Sequence, residues 1–516
     1  MGALPFLLAL PAFIPVLAAA IRAWTHGLIP TGFVQYDMPC YLAEARQHFI
    51  GGFHLTYPNA YGDYGTPAIY FQPHILLLAF FQRLRLDPGV TYVLFGILMA
   101  AFAAWAAARF YRYVVGWNTT AEKIGFVIFF WGGGLIAVAG LIFGLPTGNS
   151  FSRSSLLFDP MDGWWMFNFG RNLVYPTEAF YHAVFLCAML MLLRERFGWA
   201  LALSALLSAS HPVAGFTLAA IVAAHGFVEL LSGGGRKYAW LLTGGLAIAA
   251  LHAGYYIFFL RQFPSHRAIF SQAQSDWPYL AWTYVPVLYL VGFLVFARFS
   301  RWKQAREMWK ERKTRLFAVW FVVVFALTQH DLVIKPIQPI HFAHGYDWMA
   351  LFFLAAPAII TLIDKALALR QPVARVAMVG VLLLVFLFDN LTWFWSFHDP
   401  TAQRQIINLT PGERGVLDWL GDHAAPPAIV AVDDPPMNHL ISTYTDVRAW
   451  FGHDFNTPQA ELRRHQTEAA FRENQYLPTA LTTYYVPRRE RSWQPPPGAR
   501  EAYANSEFVI WEVLVP

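Results

Sequence analysis

Asp37 lies in the segment FVQYDMPCYLAEARQHF, just ahead of a short stretch in which Tyr41, Leu42, Ala45 and Phe49 recur at helical spacing. A carboxylate there has two readings. It is the N-cap of that helix, or it faces a cavity at the membrane surface as a general base or a metal ligand. Asp159 and Asp162, in SLLFDPMDGWW, could join Asp37 around a divalent cation such as Mg or Mn, because hard cations take carboxylate oxygens. Their neighbours Pro160 and Gly163 suit ordinary turn residues equally well. A second group is basic: Arg171 in WWMFNFGRNLVYP, Arg261 and Arg267 in LRQFPSHRAIF, and Lys335, His341 and His344 further along. Such side chains hold anionic groups, Arg in bidentate fashion, or they snorkel to headgroups as interfacial anchors. His211-Pro212 separates two short apolar runs, so this histidine is either a turn residue or a lining group of the same cavity. His225 and His252, each alone in an apolar run, suit core hydrogen bonds between helices. Sequence patterns for Ser/His/Asp triads, P-loops, dinucleotide fingerprints and zinc sites are missing.

The elements that must position these groups are apolar helices. Of 516 residues 57% are hydrophobic and only 13% charged, about half the charge usual in soluble domains. Runs of about 20 apolar residues, enough to span a bilayer, recur along the chain. Twenty Trp and 23 Tyr suit interfacial belts. Eleven spans are predicted, at 4–23, 89–111, 124–144, 178–193, 197–210, 212–231, 238–259, 279–297, 316–334, 347–364 and 376–396. The first lacks a basic flank before it and reads as an uncleaved span. With the N-terminus cytoplasmic, the inner loops carry eighteen basic residues, eight of them between Arg298 and Arg315, and the short outer loops five. That bias follows the positive-inside rule and puts both the first loop and the chain after Trp395 outside. The net charge of +5 is then a topology signal, and no nucleic-acid partner is implied. Ile69–Leu84 would reverse every later loop if it spanned, so it reads as a helix at the membrane surface. Cys40 and Cys187 lie in unlike settings, which predicts neither a disulfide nor a metal site.

Two regions break the pattern. The first outer loop, residues 25–88, is far longer than a common connector and rich in charge and aromatics, which marks it as functional. The tail alternates strand-like runs (AIVAVDD, TTYYV, FVIWEVLV) with helix-like ones (GERGVLDWLGDH, AELRRHQTEAAFRENQ). The expected organisation is therefore an all-α multi-span membrane domain over residues 1–396, including that loop, followed by a small extracytoplasmic α/β domain over 397–516.

A first span, an outer loop with an acidic residue before a surface helix, a second proline-led surface helix (GTPAIYFQPHILLLAFFQRL) and a span ending in arginines (AAARFYRYVVG) together resemble the GT-C superfamily of polyprenyl-lipid-dependent glycosyltransferases. The segments VRAWFGHDFNTPQAELRRHQTEAAF and IQPIHFAHGYDWMALFFLAAPAII are similar to the soluble outer domain and an outer-loop-to-span junction of bacterial members. The resemblance implies an inverting membrane glycosyltransferase in the cytoplasmic (inner) membrane, acting at its outer face. It would take a sugar from a polyprenyl-phosphate donor to a glycan, lipid or protein acceptor. The first-loop acidic residue of the superfamily maps onto Asp37, and the basic set Arg171, Arg267, Lys335, His341, His344 and His211 would meet the lipid phosphate. Met38 stands where aminoarabinose and protein-mannosyl transferases have the second acid of an Asp-Glu pair. The Trp-Trp-Asp signature of oligosaccharyltransferases is missing as well, so the subfamily and any metal stay open. A polymerase or ligase of lipid-linked glycans shares the chemistry. A secondary transporter is the alternative of another class; transporters show internal repeats and mid-membrane ionisable residues, and no repeat is evident here.

Overall fold

The computed structural model describes residues 2–164, 166–273, 291–292, 294–300, 302–399 and 406–514. The chain forms two compact units.

The first unit comprises Met1–Pro15, Gly96–Tyr255 and Gln274–Arg404. Apolar helices dominate it. Along the described chain seven helices are long and apolar enough to cross a membrane: Leu4–Thr25, Pro88–Val114, Pro176–Leu193, Pro212–Leu231, Arg236–Gln262, Tyr346–Leu367 and Pro372–Ser396. The protein is thus a multi-pass membrane protein. The difference from eleven spans has local causes. The predicted span 124–144 is two helices, Thr120–Trp131 and Ile136–Gly144, with a bend of 55° between them. Gly132 carries the break: a Cβ there would stand 2.6 Å from the Trp348 ring. The Gly133 N–H leaves the helix to donate to the Phe386 carbonyl at 2.9 Å. The second helix then starts against Asp389, whose carboxylate accepts from the N–H groups of Ile136 (3.2 Å) and Ala137 (3.0 Å). The predicted span 197–210 is an apolar helix of 14 residues, and 316–334 overlaps a helix, Arg312–Thr328, of 17. The predicted span 279–297 falls largely outside the described residues.

The second unit joins Val16–Phe95, Tyr256–Ala273 and Gln405–Pro516. The first loop clusters with the tail. Strand β1 (Ile29–Pro30) pairs antiparallel with β2 (Asn408–Leu409). Arg448 then reaches from the tail to the carbonyls of Gly62 (2.9 Å) and Asp63 (2.7 Å), and the Tyr64 hydroxyl donates to the Ala428 carbonyl at 2.9 Å. Loop backbone that would otherwise be buried without partners is satisfied by these side chains, which is what lets a long loop be ordered. The stretch Ile69–Leu84 holds one helix, Pro73–Gln82, about 15 Å long at 1.5 Å per residue and too short for a bilayer core of about 30 Å.

The tail contributes β3 (Ala428–Val432), β4 (Arg448–Ala449), β5 (Thr482–Val486), β6 (Arg500–Ala504) and β7 (Val509–Val513). They form one sheet in the order β4-β3-β5-β7-β6. β3 is parallel to β4 and β5, and β7 is antiparallel to β5 and β6. Helix Pro435–Tyr444 connects β3 to β4, and helix Ala460–Arg472 connects β4 to β5. All five residues of β3 are buried, the continuous apolar run expected of a central parallel strand.

Candidate functional site

The helix after Asp37 spans Met38–Gln47, and Pro39 in its first turn fixes where it starts. Asp37 occupies the N-cap position, yet its side chain makes no capping hydrogen bond. The carboxylate points elsewhere. Oδ1 accepts from His453 Nε2 at 2.7 Å, and Oδ2 accepts from Gln35 Nε2 at 2.9 Å. Gln35 is fixed in turn, since its Oε1 accepts the Asp37 backbone N–H at 2.6 Å.

The state of His453 follows from its surroundings. Its Nδ1 faces the backbone N–H groups of Phe455 and Asn456, each at 3.2 Å, and so acts as acceptor. The ring proton therefore resides on Nε2, the nitrogen that donates to Asp37. Thr457 holds the His453 backbone N–H at 2.9 Å, and the rings of Tyr36 and Tyr61 flank the imidazole at 5.8 Å each. His453 is buried while the Asp37 side chain stays 35% exposed: one partner is anchored and the other is reachable. A carboxylate has about four acceptor positions, and two of those on Asp37 are taken.

A proton-rich layer lies along the same helix. Burial pushes the Glu44 carboxyl up to about 7, opposed by Tyr57 and His453. The Tyr57 hydroxyl stands 3.3 Å from Glu44 Oε2 and 3.0 Å from Gln72 Oε1. One phenol proton cannot serve both acceptors, and a protonated Glu44 donating to Tyr57 satisfies all three groups. The Cys40 thiol, also pushed well up by burial, accepts from Asn456 Nδ2 at 2.8 Å. Cys40 and Cys187 are both free thiols.

The other residues singled out in the sequence separate by unit. Arg261 and Arg267 belong with Asp37 in the second unit. Arg261 lies 3.7 Å over the Phe270 ring, and Arg267 is exposed on helix Pro264–Ala273. Gln272 of that helix donates to the carbonyl of Thr457, at 3.0 Å, in the loop that holds His453.

Arg171, Asp159 and Asp162 belong to the first unit. Arg171 is buried, with NH1 on Asp159 Oδ2 at 2.5 Å, Nε on Asn390 Oδ1 at 2.7 Å and NH2 on the Asp389 carbonyl at 2.9 Å. Its guanidinium is committed to the protein interior, and Asp159 is committed with it. Asp162 has a left-handed backbone, φ 57°, as turn residues do. Among the described residues no three His, Cys, Asp or Glu side chains converge as a metal ion requires.

His211 accepts the Ala214 N–H at 3.1 Å through Nδ1 and so caps helix Pro212–Leu231. His344 Nδ1 lies 3.3 Å from buried Glu178, and the His341 ring stands 5.2 Å from that of His344. Burial holds His341 well below the usual imidazole range, so it is neutral and offers a hydrogen bond but no charge. Lys335 is exposed beside Leu332, Val333 and Ile334, an apolar tip open to its surroundings.

His453 and Gln35 were not identified from sequence. The signal for His453 lay in the segment Gly452-His453 to Thr457-Pro458, where Thr457 fixes the turn; nothing local ties it to an aspartate 416 positions earlier.

No protein-family model matches this sequence, and no curated protein does. Among solved structures, the chain is similar to an archaeal oligosaccharyltransferase, AglB from Archaeoglobus fulgidus, in complex with an inhibitory peptide and a dolichol-phosphate. The TM-score is 0.49 at 13% identity, over 93% of this chain and 69% of that one. It is also similar to ArnT from Cupriavidus metallidurans bound to undecaprenyl phosphate, with a TM-score of 0.46 at 12% identity, over 96% of this chain and 97% of that one.

Proposed function

We propose that the chain is an inverting membrane glycosyltransferase, using a polyprenyl-phosphate-linked sugar at the outer face of the cytoplasmic membrane, with Asp37 as its general base. The observation that carries this reading is the Asp37–His453 pair. A partly exposed carboxylate, free of its capping duty and oriented by the Nε2–H of a buried neutral imidazole, is arranged to accept a proton. An acceptor hydroxyl attacks the anomeric carbon and forms the new C–O bond while its proton passes to Asp37. The bond from that carbon to the phosphate oxygen breaks, and its electron pair leaves with the lipid phosphate. One displacement inverts the carbon. Arg267, exposed in the same unit, is the cation assigned to the leaving phosphate. The excess of basic residues in the loops read as internal supports the outer face for Asp37.

A broken span is a feature that transporters share. Here Asp389 is spent on capping the break and Arg171 on bracing it, which favours a structural purpose.

The test is release of free polyprenyl phosphate. Purified protein reconstituted into liposomes with a polyprenyl-linked sugar lipid extract, and supplied with a total membrane extract as the source of acceptor hydroxyls, is expected to liberate it, read by mass spectrometry. Asp37→Asn is expected to do so about 100-fold more slowly, the usual loss for a positioned base, with unchanged membrane insertion. No release by the wild type, or full release by the variant, contradicts the proposal.

A further inference from the structure

The tail sheet has a topological switch point. From β3 the chain passes through helix Pro435–Tyr444 to β4 on one side, then through helix Ala460–Arg472 to β5 on the other. In sheets wound this way the loops leaving the parallel strands diverge and open a crevice outside the strands' carboxyl ends, where ligands bind. A cavity of about 410 Å³ lies there, lined by Asp433 after β3, Phe451 and Asp454 after β4, and Arg491 after β5. That volume is within the range of about 300–1,000 Å³ common to small-molecule sites.

The lining specifies a ligand chemistry. Asp433, Asp434, Asp454 and Glu468 stand among Arg464, Arg472 and Arg491. Arg491 pairs with Asp433 at 2.6 Å, and Arg464 pairs with Asp454. A wall with four acids against three arginines does not select an anion such as phosphate. It does offer planar donor and acceptor groups side by side, which suits adjacent hydroxyls that both donate and accept. Phe451 and Phe471 add aromatic faces for the C–H side of a ring.

Two polar atoms in the lining have no partner. Asn438 is 3% exposed, and its amide N–H groups donate to the Val432 and Asp434 carbonyls at 3.1 Å each, which leaves Oδ1 without a hydrogen bond. His439 Nδ1 is likewise buried and unbonded, and burial holds that imidazole down at about 4, so it is neutral. An orphaned buried acceptor is costly unless something donates to it.

The cavity borders the reactive pair. The His439 ring stands 5.9 Å from the His453 ring and 6.0 Å from that of Tyr36, the neighbour of Asp37.

We infer that this cavity is the acceptor site and takes a neutral polyhydroxylated ring, a sugar or sugar-like polyol, with one hydroxyl directed toward Asp37. The inference rests on the glycosyltransferase reading and names the acceptor class for it. Arg472, whose side chain is 68% exposed and lies 4.0 Å from Glu468, is a rim contact and not a fold element.

The test is a printed glycan array, probed with fluorescently labelled full-length protein in detergent. Wild type and Asp37→Asn are both expected to bind a common subset of neutral glycans. Arg472→Ala is expected to lose about tenfold of that signal, as for one charge-assisted hydrogen bond, at an unchanged melting temperature. Asn438→Asp, which keeps the unbonded oxygen but exchanges the donating amide nitrogen for a second, charged oxygen, is expected to alter the subset. Binding to no neutral glycan, equal binding by Arg472→Ala and Asn438→Asp, or full competition by millimolar inorganic phosphate overturns the inference. The array reads binding and the lipid assay reads transfer, so the two can fail separately. Release of polyprenyl phosphate with no glycan bound leaves the transferase and removes the sugar acceptor. Glycan binding without release does the reverse.

Discussion

Both units of this protein set a carboxylate against a nitrogen base, and they put the pair to opposite uses. In the first unit Asp159 and Arg171 are each 2% exposed, and the guanidinium is closed off by Asn390, the Asp389 carbonyl and the Trp393 ring 5.1 Å away. In the second, Asp37 meets the buried His453 but remains open to a reactant on its other side. Residue type alone made Arg171 as good a candidate as any. The difference lies in what surrounds each pair: Asp159 and Arg171 are closed off from any reactant, which marks a brace, whereas the Asp37 carboxylate is 35% exposed and keeps acceptor positions open, as the proposed site requires.

The contrast can be broken most forcefully at Arg171. Arg171→Ala leaves Asp159 buried without its counter-charge, which costs about 3–5 kcal/mol. The expected outcome is loss of the folded protein on size-exclusion chromatography or a large fall in melting temperature. A variant that folds normally and shows only a raised KM would return Arg171 to the lipid phosphate.

Arg267 sharpens the other side. It is exposed, so Arg267→Ala is expected to leave the melting temperature alone. It should raise KM for the polyprenyl-phosphate donor, or lower kcat where the contact tightens in the transition state, by roughly 10–100-fold. Wild-type kinetics would make it an interfacial anchor.

The smallest effect is expected at Glu44. Its folded value of about 7 lies above the ordinary 4.5. The folded state therefore holds the proton more tightly, and the stability this confers is complete below about pH 4.5 and lost as pH rises through 7. Glu44→Gln keeps a neutral group at every pH. It should match the wild type at pH 4.5 and exceed it at pH 8.5, by about 1–3 kcal/mol at most given about 1.4 kcal/mol per tenfold change in proton affinity. Equal pH dependence in both proteins would show that Glu44 is ionised in the fold.

Apolar length made most of the helices legible in the sequence, and short β-branched and aromatic runs made β3, β5 and β7 legible. The break at Gly132 was not, because it depends on Trp348 and Asp389 far along the chain. Helix Pro435–Tyr444 carries no such apolar length, and its two leading prolines suit a first helical turn. Asp37 was legible as a candidate but ambiguous, since an aspartate before a helix is the commonest of caps. The structure reassigns its carboxylate to a histidine that no spacing rule could have paired with it. His211 shows the opposite geometry, with its Nδ1 capping helix Pro212–Leu231.

The most direct test of Asp37 and His453 as one working unit is a double-mutant cycle on the rate of polyprenyl phosphate release. Asp37→Asn, His453→Gln and the double variant would be compared with wild type at equal folded concentration. If His453 acts only by orienting the Asp37 carboxylate, its removal has nothing further to take once that carboxylate is gone. The double variant is then expected to be no slower than Asp37→Asn alone. Losses that multiply, with His453→Gln slowing the Asp37→Asn enzyme as much as it slows the wild type, would contradict the account.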